Sequence, residues 1–170
     1  MCDAVPASAA ELVTSGQRVL DAEGEVVRDV DGVVSTARCE VFVSGQDSSA
    51  VRLLIGRAPA GGADVQLAAE ARGAVRLPGV EGVGYVREST LEPEDADTPS
   101  LQGASGELLV ANPSSRDDSP LRVLVEVRTQ ATGRDHSADV AALLSQVRRT
   151  LELEPLLEMS SAPSTSATTG

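Results

Sequence analysis

Two thiols and one imidazole are the side chains best suited to chemistry here, and their spacing limits what they can do. Cys2 and Cys39 are the cysteines and His136 is the single histidine. Two cysteines and one remote histidine lack the ligand number and close spacing of a zinc site, so no metal is expected. Their separation also rules out a redox pair of the C-x-x-C kind. Three fates fit the sulfurs. Cys39 can be a small buried hydrophobe. Cys2 and Cys39 can form a structural disulfide, which requires an oxidising compartment. Cys2 can instead be the lipidated first residue of a mature lipoprotein, leaving Cys39 a lone thiol.

The other reactive types are no better placed for catalysis. A serine nucleophile needs a sharp turn such as G-x-S-x-G, and "GASGE" (103–107), with Ser105, has the wrong order. His136, between Asp135 and Ser137, reads as the start of a helix, where polar residues satisfy free amides. The acidic stretch with Glu92, Glu94, Asp95 and Asp97 lacks the spacing and central glycine of a calcium loop and reads as a solvated loop. Paired carboxylates for glycoside cleavage need an aromatic cleft, yet the aromatics are Phe42 and Tyr85 alone. "GVEGVG" (79–84) leads into a strand, so its glycines serve a bend or a close approach and no phosphate cradle. The expectation is a non-enzymatic chain with no catalytic residue and no cofactor.

Composition narrows the partners. The net charge is -12 and every basic residue is arginine. Phosphate backbones repel such a chain, and it lacks aromatic stacking platforms, so nucleic acid is not an expected partner. No stretch approaches the roughly 20 apolar residues of a bilayer span. With 41% hydrophobic residues, nearly all aliphatic, a chain of 170 residues can bury the core of one domain. Absent lysine, with abundant alanine, glycine, valine and arginine, suits a high-GC bacterial genome.

The positioning elements follow from periodicity. "PASAAELVTSG" (6–16) reads as a short helix with Ser8 as its cap, Glu11 at the capping-box position, and Ala9, Leu12 and Val13 facing inward. Asp31-Gly32 marks a small hairpin, or an ordered arm, within 25–35. Cys39, Val41 and Val43 share one strand face, with Arg38, Glu40 and Ser44 on the other. Val51, Leu53 and Ile55 form the next strand's apolar face. A helix is expected over 64–75, a strand around 83–87, an acidic loop over 90–105 and a strand over 106–115. The clearest strand is "PLRVLVEVRTQ" (120–130), with Leu121, Val123, Val125 and Val127 opposite Arg122, Glu126 and Arg128. The clearest helix is 135–155, where Val140, Leu143, Leu144, Val147 and Leu151 keep the 3.6-residue period. The expected fold class is α+β: a two-layer sandwich, its mostly antiparallel sheet of about five strands covered on one face by two or three helices. One globular domain is expected over 1–158, and a flexible Ser/Thr/Ala/Pro tail over 159–170.

Taken in order, these features resemble a known group. "CDAVPASAAELVTSG", "ARCEVFV", "GVEGVGYVRES", "LRVLVEVRT" and "ADVAALLSQVRRTL" are similar to an actinobacterial family of small exported lipoproteins or ectodomains of unknown function. The likeness covers about residues 2–151. It implies a cell-envelope location and a Cys2–Cys39 bridge, and it supplies no catalytic residues. A tryptophan frequent after the family's second cysteine is replaced by Glu40 and Val41. Met1 alone precedes Cys2, so a removed leader, and with it a missing N-terminal lipid anchor as a route to the membrane, is part of the expectation. The expected function is a secreted or surface-attached domain that binds an envelope protein or a small ligand. A carrier holding a lipid between sheet and helices is the alternative, and a small hydrolase the minor one.

Overall fold

Alternating valine and leucine against arginine and glutamate lets a strand bury one face and solvate the other. The pattern is cleanest in the two strands that become the centre of the sheet. A computed structural model of the chain describes residues 2, 4–58, 70, 73–77, 79–91, 101–113, 119–130 and 134–156. The strands are β1 (Val19–Arg28), β2 (Val34–Val43), β3 (Val51–Arg57), β4 (Val75–Arg76), β5 (Gly84–Leu91), β6 (Leu101–Val110) and β7 (Leu121–Thr129). They form one antiparallel sheet in the order β1-β2-β3-β7-β6-β5-β4. Two helices are described, α1 (Ala7–Val13) and α2 (His136–Thr150).

This architecture overturns the expected two-layer α+β sandwich of about five strands with two or three helices. The described residues are mostly β, with seven strands and two short helices among them. β1 escapes a sequence reading because its residues, VLDAEGEVVR, are mainly exposed and acidic. Pairing with β2 from Val19–Val43 to Arg28–Val34 makes it a strand. The Asp31-Gly32 turn therefore closes a long hairpin rather than a small one. β6 starts at Leu101, inside the expected acidic loop, because Leu101 to Ser105 pair with β5 from Leu91 to Arg87. The helix expected over 64–75 and the tail over 159–170 fall largely outside the described residues, while Val75 belongs to β4.

The inner face of the sheet carries the core. Cys39, Val41, Val51, Leu53, Val123, Val125, Val127, Val86 and Leu108 are buried there. α2 lies across β6, β7 and β5, burying Val140, Ala141, Leu143, Leu144 and Val147. Asp135 caps it by accepting a hydrogen bond from the Ala138 N–H at 3.0 Å. Arg148 and Arg149 occupy its last turn, where cations oppose the dipole favourably. α1 packs on α2, and its buried residues are Ala10 and Val13. Ser8 lies inside α1 and does not cap it: Pro6 is the N-cap and no side chain bonds there. Leu12, expected inward, is exposed.

After α2 the chain straps the end of the sheet. The Ala111 N–H donates to Glu154, Leu156 donates to Leu109, and Val83 donates to Leu156, all at 2.9–3.1 Å. Gly82, at φ +104°, lets this strap pass: a Cβ there would sit 3.0 Å from the Pro155 Cβ. The two sheet edges are blunt in different ways. β4 has two residues, and β1 carries Asp21, Glu23 and Glu25.

The helix and sheet touch most closely at Gly106. A Cβ built there would lie 2.3 Å from Val140 Cγ1 and 2.9 Å from Leu144 Cδ1. Gly106→Ala should push α2 outward and destabilise the fold by about 1–3 kcal/mol, the usual range for overpacking. Urea denaturation of wild type and variant checks this; an unchanged midpoint would mean that α2 does not seat as described.

Candidate functional site

The sequence picks out Cys2 and Cys39, and the structure joins them. Cys39 sits on the inner face of β2, opposite Gly24 of β1 and Leu53 of β3. Cys2 is disulfide-bonded to it, with Cα atoms 5.7 Å apart. Both residues are buried, within one cluster that also holds Ala4, Val5, Ala10, Val13 and Val34. The bond thus fastens the segment ahead of α1 onto the sheet. A sulfur engaged in this bond carries no thioether lipid, so the bridge and a lipidated Cys2 are mutually exclusive. A disulfide also suits an oxidising environment.

His136 is brought to no nucleophile. It is the first residue of α2, 4% exposed, and neither ring nitrogen has a hydrogen-bond partner. Asp135 satisfies the helix amide, so His136 shares the helix start without serving it. The nearest carboxylate, Asp139, lies 3.9 Å from Nδ1, and it is held by Arg134 at 2.7 and 2.8 Å. That contact raises the Arg134 pKa above its already high ordinary value, so the guanidinium stays charged throughout any working pH range. Ser105 lies on the opposite face of the sheet from α2, lining an outer depression. The sheet itself therefore separates Ser105 from His136. Glu92, Glu94, Asp95 and Asp97 lie outside the described residues. Among the described residues no three metal-ligating side chains converge, and no helix is long and apolar enough to cross a membrane.

The more informative surface is the outer face of the sheet. Strand register lines up two rows of side chains across it. One row reads Glu23, Glu40, Arg52, Glu126, Ser105, Arg87 from β1 to β5. The next reads Glu25, Arg38, Leu54, Leu124, Glu107, Tyr85. Arg52 joins the carboxylates beside it, at 3.0 Å from Glu40 and 3.7 Å from Glu126. Arg128 reaches Glu126 at 3.0 Å, Arg38 reaches Glu40 at 3.4 Å, and Arg122 donates to Glu107. Each such pair adds little stability at a solvated surface, at most about 1 kcal/mol. Together they hold the long side chains in order around two half-buried leucines, Leu54 and Leu124.

Two shallow depressions flank those leucines. One, of about 240 Å³, is lined by Tyr85, Arg87, Ser105, Glu107, Leu124 and Glu126. The other, of about 190 Å³, is lined by Leu54, Gly56, Arg57, Arg122 and Leu124. The small Ser105 between Glu126 and Arg87 opens the first. Arg87 is exposed and makes no ion pair among the described residues. An apolar centre inside an ordered polar rim is the anatomy of a protein-binding patch. The alternation within each strand already assigns Arg38, Glu40, Arg122, Glu126 and Arg128 to this side. Their assembly into rows depends on register and strand order.

No family model, curated protein or solved structure matches the chain.

Two measurements probe these buried groups. Replacing both cysteines by alanine should lower stability by roughly 3–4 kcal/mol, the loop-closure value for a bridge of this span, and denatured wild type should show no alkylatable thiol before reduction. His136→Leu removes two desolvated nitrogens that lack partners, so its denaturation midpoint should rise, by the equivalent of about 1 kcal/mol. A lower midpoint would show that the imidazole is satisfied, for instance by a bound water.

Proposed function

We propose that this chain is a non-enzymatic, extracytoplasmic domain of the cell envelope that binds a partner protein through the outer face of its sheet. The observation that carries this reading is the Leu54–Leu124 pair set within an ion-paired rim of arginine and glutamate. A surface of this kind suits flat contact with another protein better than capture of a small molecule, for which enclosed pockets serve. The buried disulfide supports the compartment, because such bonds form and persist outside a reducing cytoplasm. The resemblance to small exported actinobacterial domains supports it too. The lipid-carrier reading receives less support, since Gly106 brings α2 into direct contact with the sheet where a guest would have to enter.

A photo-reactive residue placed at Leu124 tests the proposal in cells that export the protein. A covalent adduct heavier than the chain is expected at Leu124 and not at Val30, the fully exposed tip of the β1–β2 hairpin. Arg52→Glu should diminish the adduct. No adduct at Leu124, or equal yields at the two positions, would overturn the outer face as the binding surface.

A further inference from the structure

We infer that the protein seated on this outer face is a second copy of the same chain, in a two-fold, face-to-face dimer; this rests on the reading that the outer face is an interaction surface. The support is the self-complementarity of the two rows. Take an axis parallel to the strands, midway between β3 and β7. Half a turn about it lays β3 over β7 of the second copy, β2 over β6, and β1 over β5, because the strand order is β1-β2-β3-β7-β6-β5. Register then fixes what meets what. In one row Arg52 faces Glu126 and Glu23 faces Arg87. In the other Arg38 faces Glu107, and Leu54 faces Leu124. Symmetry makes each of these contacts twice, as an isologous interface requires.

Neighbouring axes fail. An axis along β7 would set Glu126 against its own copy and Leu54 against Glu107. One along β3 would set Arg52 against itself and Glu40 against Glu126. Both of those axes also set a leucine on its own copy, but the β3–β7 axis alone among these puts no like charges face to face in the two rows. Packed sheets cross at about 30° and lie about 10 Å apart. Contacts near the axis keep their opposition, and at the flanks the long arginine and glutamate side chains span the offset. The arrangement also brings the acidic edge of β1 over Arg87, a cation that makes no ion pair among the described residues. Two chains of charge -12 repel at a distance, but the Debye length of about 8 Å at physiological ionic strength confines that repulsion to close range. Six strands of each sheet spaced about 4.8 Å apart make a narrow interface, at the small end of stable ones.

Sedimentation equilibrium of the full chain over the micromolar to millimolar range, at physiological salt, is the test. Wild type should reach a reversible dimer. Glu23→Arg and Arg87→Glu, each alone, should weaken it by about ten-fold or more, since each sets like charges together twice. An equimolar mixture of the two variants, or both changes in one chain, should recover dimerisation to within about three-fold of wild type. That recovery also shows that the variants fold. Leu124→Glu should abolish the dimer. A wild type monomeric throughout, or a dimer indifferent to these changes, would overturn the inference. If the Leu124 photo-adduct then has a mass other than twice the chain, the outer face still binds, but a different protein. A monomer with no adduct removes both readings.

Discussion

The pairing of β3 with β7 is the constraint on which the rest of the molecule depends. Leu53 opposite Val125 and Leu54 opposite Leu124 decide, at the centre of the sheet, which side chains meet α2 and which meet solvent. A one-residue slip of β3 would turn Leu53 outward and drive Arg52 into the aliphatic core, and a slip of β7 would do the same with Val125 and Glu126. Burying those charges without water would cost far more than their mutual attraction returns. Core and outer face are therefore specified together. The apolar set that anchors α2 and the charged set that forms the rows are alternate residues of the same strands.

Much of this was legible residue by residue, and little of it across strands. The alternation in 120–130 reveals β7 and both of its faces because nothing interrupts it. The apolar stripe of 135–155 reveals α2, and the strand around Cys39 is equally plain. β1 is hidden because an edge strand with one neighbour needs little apolar surface, and Asp21, Glu23 and Glu25 look like a loop. The start of β6, "LQGASG", is hidden because Gly103 and Gly106 are small for reasons of close packing that spacing does not disclose. Missing β1, and the two-residue β4 at the end of the helix expected over 64–75, made the sheet two strands too small.

The candidate site divides the same way. The two cysteines were readable as partners, with rivals, because their types limit their fates. The resemblance to exported domains favoured the bridge that the structure contains. The rows on the outer face were not readable. Arg52 belongs beside Glu126 only because β3 lies next to β7, and the two are far apart in the chain. His136 shows the reverse case: its place at a helix start was evident, but its unpartnered burial follows from packing that no local pattern encodes.

The blunt edges have a consequence for solubility. An open sheet can recruit further strands at either end and grow into a fibre. Here one end stops after two paired residues, Val75 and Arg76. The other offers a row of carboxylates that any incoming copy of the same strand would have to match with its own. A valine-rich sheet bounded in this way resists strand-by-strand growth even where its own copies are concentrated.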